Sequence, residues 1–136
     1  MKVFLGGTCN GSKWRDVFIP MLEEIGFDYF NPLVEDWNEE AQQHEIEERK
    51  KADFCLYVIT PKMKGVYSIA EAVDDSNKSP ERTIFCLLTT PEFEDELFTC
   101  SQVNSLRAVG YLIERNGGQF FESLSEVEEY LGAFLS

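Results

Sequence analysis

Phe54-Cys55-Leu56-Tyr57-Val58-Ile59, broken by Thr60-Pro61 and followed by Lys64-Gly65-Val66-Tyr67-Ser68-Ile69-Ala70-Glu71-Ala72-Val73, is the stretch that decides the fold. The strand predicted over Asp53 to Ile59 is continuously apolar rather than alternating, the signature of a strand buried on both faces of a parallel sheet. The residues after the break carry a helical pattern to about Asn77, stopped near Pro80. Strand followed by helix is half of a crossover unit, and ligands of such sheets bind at the carboxyl ends of the strands. Glu71 is expected on the first turn of that helix, where a carboxylate can serve as a nucleophile.

Working outward, Lys2 to Leu5 reads as a first strand ending in Gly6-Gly7-Thr8. A helix over Lys13 to Ile25 follows from the spacing of Trp14, Val17, Phe18, Met21, Leu22 and Ile25. Gly26 stops it, and Phe27 to Phe30 is a short second strand closed by Asn31-Pro32. The polar helix Glu39 to Lys51 reads as a solvated surface on which Glu45, Glu48 and Arg49 pair at helical spacing. Beyond the central stretch come a buried strand Thr83 to Leu88, a helix Thr99 to Arg115, a strand Gln119 to Phe121 and a last helix Leu124 to Leu135. Five alternations without repeat or linker predict a single doubly wound α/β domain over residues 1–136. Five parallel strands suit the flavodoxin-like order 2-1-3-4-5, with helices on both faces.

Composition narrows the function. The 136-residue chain carries a net charge of −13, which repels nucleic-acid backbones but leaves room for a small nucleotide in a shielded site. No apolar run nears the roughly 20 residues that span a bilayer, and no signal-peptide pattern opens the chain. The four cysteines form no C-x-x-C pair; Cys55 and Cys86 fall in apolar strands, and a reduced cytoplasmic protein is the simplest reading. With His44 as the sole histidine, no metal site is expected. Cys9 has no histidine to activate it.

Several residues could carry chemistry. Gly6 and Gly7 would let backbone amides approach a ligand, and Gly11-Ser12 opens the next helix at its positive end, which suits a phosphate or sugar hydroxyl; a tight turn explains the glycines equally. Ser68-Ile69-Ala70-Glu71 has the form of a capping box, repeated at Ser123-Leu124-Ser125-Glu126. Helical spacing instead puts Ser68, Glu71 and Asp75 on one face toward the crevice, with Val66, Ile69, Ala70 and Val73 on the sheet. Asp36 and Trp37 sit on the same rim, where an indole could stack on a base and a carboxylate could bond an amine or sugar hydroxyl; capping and edge packing are the structural alternatives.

Val3-Phe4-Leu5-Gly6-Gly7-Thr8, the Asn31-Pro32 to Asp36-Trp37-Asn38 loop, Ala52-Asp53, and Gly65 to Ala72 together resemble the nucleoside 2-deoxyribosyltransferase superfamily, and its "like" branch most. The resemblance covers about the first 90 residues well and the remainder loosely. It implies an enzyme without a cofactor, in which Glu71 attacks the anomeric carbon of a nucleoside, with transfer to a second base preferred over hydrolysis. It further implies that Gly6, Gly7, Thr8, Asn10 and Ser68 meet the sugar and its 5′ end. Ser12, Lys13 and Arg15 lie near that end, the two cations at positions that also suit the outer face of a helix. Asp36 and Trp37 would address the base or ribose. Where well-studied transferases place an aspartate shortly before the nucleophile, this chain has Met63-Lys64-Gly65-Val66, so Lys64 or an apolar contact would replace a base-binding carboxylate. The partner is a small nucleoside or nucleotide, not a nucleic acid polymer or a membrane. A homodimer or larger homo-oligomer is expected, with Ser101 and Asn104 as candidates at the interface. The alternatives are a nucleoside 5′-monophosphate N-glycosidase and a non-catalytic nucleotide-binding module. An electron carrier or phospho-receiver fits less well, since the first strand ends in Gly-Gly-Thr rather than paired acids.

Overall fold

A computed structural model describes residues 1–33 and 38–135. Five parallel strands, β1 (Lys2–Gly7), β2 (Asp28–Phe30), β3 (Phe54–Ile59), β4 (Thr83–Leu87) and β5 (Gln119–Phe121), form one sheet in the order β2-β1-β3-β4-β5. The helices are α1 (Trp14–Ile25), α2 (Glu39–Lys51), α3 (Tyr67–Lys78), α4 (Cys100–Arg115) and α5 (Leu124–Gly132). This is the flavodoxin-like arrangement expected from the sequence, with β1 and β3 flanking the point where the strand order reverses.

Side-chain alternation divides the core between the two faces. Val3, Leu5, Phe54, Leu56 and Val58 pack with Trp14, Phe18 and Leu22 of α1 and with Val127 and Leu131 of α5. Phe4, Cys55, Tyr57 and Ile59 point the other way, toward Ala72 of α3 and Leu106 and Ile113 of α4. Every residue of β3 is buried, which is why its sequence is apolar throughout. That burial pushes the Cys55 thiol up to about 12, so it stays protonated and packs as a small hydrophobe.

Some boundaries differ from the sequence expectation. β1 continues through Gly6 and Gly7, because both pair in register with Tyr57 and Val58 of β3. Helix α1 starts at Trp14 without a side-chain cap, so Gly11-Ser12 does not open it directly. Within α1, Val17 is exposed and Arg15 is buried. The buried stripe of α3 is Ala72, Asp75 and Ser76. Ile69 and Val73 pack beside it, whereas Val66 and Ala70 face solvent and do not pack on the sheet.

Candidate active site

Glycine shapes the floor of the crevice. A Cβ on Gly6 would stand 2.8 Å from the Tyr57 ring, so this glycine is what lets that ring come close against β1. Just past β1, the Thr8 amide donates to the Val58 carbonyl at 2.8 Å, while Thr8 Oγ1 accepts from the Thr60 amide at 3.0 Å. Trp14 Nε1 and Arg15 Nη1 both donate to the Thr8 carbonyl, at 2.9 and 2.8 Å, and Arg15 also donates to the Leu5 carbonyl. Arg15 is therefore an internal strut that holds the end of β1, not an outer-face cation.

The helix behind this crevice does not begin as a capping box. Its N-cap is Val66 with no side-chain cap bond, which makes Ser68 the second helical residue and Glu71 the fifth. The turn after β3 closes early, with Met63 N–H donating to the Thr60 carbonyl at 2.9 Å, and helical bonds already run from Ile69 and Ala70 back to Val66. A serine in helical conformation cannot turn its hydroxyl onto the orphan amides. The same motif at the other site does cap: Ser123 Oγ accepts from the Glu126 amide at 3.2 Å and donates to the Glu126 carboxylate at 2.9 Å. Ser123→Ala should accordingly cost about 1 kcal/mol in chemical denaturation and Ser68→Ala under about 0.5 kcal/mol. Equal losses would show that Ser68 caps after all.

Released from capping, Glu71 turns inward. Its Oε2 lies 3.3 Å from Arg49 Nη1, with the two side chains 15% and 22% exposed. Arg49 Nη2 donates to Asp75 Oδ1 at 2.7 Å and Arg49 Nε to the Tyr57 hydroxyl at 2.9 Å, while that hydroxyl donates to the other Asp75 oxygen. Arg49 thus leaves its own helix surface, where pairing with Glu45 and Glu48 was expected; Glu48 pairs with Lys2 at 3.0 Å instead. Burial raises Glu71 above the ordinary carboxylate range, Arg49 pulls it back, and Glu45 and Asp75 push it further up. Burial pulls Arg49 down, but Tyr57, Asp75 and Glu71 more than offset it, and the guanidinium stays charged. Burial, with Cys55 and Asp75, raises Tyr57 and keeps its phenol neutral.

Glu71 lines a cavity of about 260 Å³ together with Ser68, Tyr67, Phe4, Gly6, Gly7, Cys9, Arg15, Pro32, Leu33 and Glu45. A second cavity of about 210 Å³ adjoins it, sharing Gly7, Cys9, Tyr67 and Ser68 and adding Thr8, Asn10 and Lys64. Side by side they reach the size of ordinary small-ligand sites. Of the residues singled out in the sequence, Gly6, Gly7, Thr8, Asn10, Lys64, Ser68 and Glu71 line this paired hollow; Asp36 and Trp37 lie outside the described residues. Met63 and Lys64 both line the second cavity, Met63 with its other side packed against the core, so the apolar contact and the cation expected there are both present. Ser12 does not line it, since its hydroxyl bonds the Glu94 carboxylate and accepts from Thr60 Oγ1 at 3.4 Å. Lys13 is exposed beside Asp16. Sequence reasoning missed Arg49, Tyr57 and Glu45; a phenol inside an apolar strand, which needs a partner when buried, was the available signal.

A larger cavity of about 430 Å³ opens beyond β4 and β5, lined by Val17, Met21, Leu88, Phe93 and the N-terminal turn of α5. Among the described residues its lining carries carboxylates (Glu92, Glu122) and hydroxyls (Thr89, Thr90, Ser123, Ser125) but no cation, whereas the hollow at the reversal point adds Arg15 and Lys64 to its carboxylates and hydroxyls.

A five-stranded parallel sheet with a mostly buried carboxylate beside a hollow at its reversal point defines an α/β protein with a crevice of small-ligand size. The family model described as "Nucleoside 2-deoxyribosyltransferase like" matches residues 1–90, and the chain belongs to that family. No curated protein matches the chain. The matched span runs from β1 past β4 and contains every residue of the paired hollow.

Proposed function

We propose that this protein cleaves the N-glycosidic bond of a (deoxy)nucleoside through a covalent glycosyl-Glu71 and transfers the sugar to another base. The observation that carries this reading is the inward-facing Glu71 carboxylate, paired with Arg49 and lining a cavity floored by Gly6 and Gly7. In the first step a Glu71 oxygen attacks C1′ as the C1′–N bond breaks, and its electron pair leaves with the base, which takes up a proton. The transition state resembles an oxocarbenium ion, stabilised by the adjacent carboxylate, as in retaining glycosidases. In the second step a nitrogen of the acceptor base attacks C1′ as the C1′–O bond to Glu71 breaks; the acceptor gives up its N–H proton, balancing the one taken up by the departing base, and Glu71 returns as a free carboxylate. Ser68 and the backbone at Gly6 and Gly7 are the groups assigned to the sugar.

A second reading, hydrolysis of a nucleoside 5′-monophosphate, is favoured by the adjoining cavity. Thr8, Asn10 and Lys64 offer a hydroxyl, an amide and a cation within a space suited to a phosphate. Deoxynucleosides and their 5′-monophosphates, incubated with and without a free acceptor base, separate the two. Base-dependent exchange supports the transferase, and release of base without acceptor supports the hydrolase. Nucleotide binding with no cleavage across the panel would leave only a binding module on this fold. A homo-oligomer remains part of the proposal; Ser101 and Asn104 lie exposed on the first turns of α4, available to a second copy.

A further inference from the structure

We propose that Arg49 is the positioning residue of Glu71, a three-pronged clamp set from α2 that fixes where the carboxylate points and is itself fixed by Tyr57 and Asp75. This rests on the reading of Glu71 as the nucleophile and adds a component that its motif does not contain.

The geometry is unequal among the three prongs. Arg49 meets Asp75 at 2.7 Å and the Tyr57 hydroxyl at 2.9 Å, both within the range of strong charge-assisted bonds, but Glu71 at 3.3 Å. Asp75 spends one oxygen on Arg49 and the other on Tyr57. The guanidinium is therefore held by β3 and the middle of α3, whether or not Glu71 is bonded. That division suits a nucleophile: a carboxylate locked by two short bonds would attack poorly, while one steered by a looser contact keeps its lone pairs for C1′.

The tyrosine ring that anchors the clamp lies against Gly6, so the same strand position that shapes the ligand floor also places the arginine. Glu71 is faced by Arg49 and Glu45 from α2 and by Asp75 from its own helix, and it shares the cavity lining with Tyr67 one turn earlier on that helix and with Arg15 and Cys9. Among these, Arg49 is the group that favours the charged carboxylate, opposing burial, Glu45 and Asp75. Lysine could not replace it, since one ammonium lacks the planar fork that reaches three partners at once.

The test compares wild type, Arg49→Met and Arg49→Lys by the pH dependence of kcat and KM on the nucleoside substrate. Arg49→Met should lower kcat at pH 6 by at least about ten-fold with little change in KM, and move the acid limb of kcat upward by about one pH unit or more. Arg49→Lys should restore part of the acid-limb position but not the rate. A structural role alone would lower activity equally at every pH, so a folded Arg49→Met with an unmoved acid limb overturns the proposal. Carbon-13 NMR titration of the Glu71 carboxyl needs no turnover and should show the same upward shift. If wild type cleaves nothing, the catalytic reading fails, and the clamp still stands or falls on that titration. Where Arg49→Met does not fold, Tyr57→Phe removes one anchor at near-constant volume; it should raise the Glu71 midpoint by a smaller amount, and no shift overturns the clamp.

Discussion

Glu71→Gln is expected to abolish sugar transfer, lowering kcat by at least about a thousand-fold, while leaving the folded protein almost as stable as before. The amide matches the carboxylate in shape and can still accept from Arg49, but it is a poor nucleophile toward C1′ and cannot form the ester intermediate. Stability should change by less than about 1 kcal/mol, because Arg49 keeps its bonds to Asp75 and Tyr57 and a partly buried charge is removed. The sign of the pH dependence follows from the same environment. Burial raises Glu71, so its charged form costs the folded state stability as pH rises through its folded midpoint, and Glu71→Gln flattens that slope. Activity runs oppositely, since the attacking form is the ionised one. Mass spectrometry of wild type quenched with a slow substrate should find the sugar on the peptide bearing Glu71, and nothing on that peptide in Glu71→Gln. A variant retaining a tenth of wild-type activity would remove Glu71 from the chemistry.

The parts of this molecule that were legible in the sequence are those governed by burial on one or both faces of a strand. Phe54 to Ile59 is apolar throughout because helices cover both sides of β3, and that one run implies a parallel sheet with a crossover helix after it. Five alternations then suit the order 2-1-3-4-5, one of the common doubly wound arrangements, and the sheet has that order. The candidate site was only half legible. Glu71 could be found because it stands in a recognisable ordered motif, but its role was obscured by a local pattern, Ser68-x-x-Glu71, that describes a cap equally well. Local pattern decides only when nothing stronger competes, and here a guanidinium from another helix does. Ser123 meets no such rival and caps as written.

Arg49 was invisible for a related reason. Helix α2 buries no residue fully, so its periodicity contains no apolar stripe to orient it, and every charge on it reads as solvated. Its partners were disguised as well: Tyr57 passes for core inside an apolar strand, and Asp75 passes for a surface acid on a helix. Only their three-dimensional meeting shows that a phenol, an acid and a guanidinium satisfy one another in place of water. Networks assembled from three separate elements leave no spacing in the sequence to detect.

Gly7→Ala should be the most damaging single substitution in the crevice, and Gly65→Ala its harmless counterpart. Gly7 has φ +116°, outside the region that side-chain-bearing residues adopt, and a Cβ there would stand 2.1 Å from the Val58 carbonyl oxygen and 2.6 Å from the Val58 nitrogen. These are backbone atoms of the central strand, so no rotamer change relieves the overlap; β1 and β3 must part. Parting them breaks the Thr8 to Val58 bond at 2.8 Å and loosens the Thr60 contact that holds the crevice closed. Strain and lost bonds together should cost more than about 3 kcal/mol, a drop of roughly 10 °C or more in Tm for a chain of this size. A Cβ on Gly65 meets nothing within 4 Å, so Gly65→Ala should stay within about 0.5 kcal/mol of wild type, although it opens one of the stretches that carry the family resemblance. Thermal unfolding of the two variants side by side decides the matter. A Gly7→Ala protein melting with wild type would mean that the close approach of β1 to β3 at the floor of the site is not what requires glycine there.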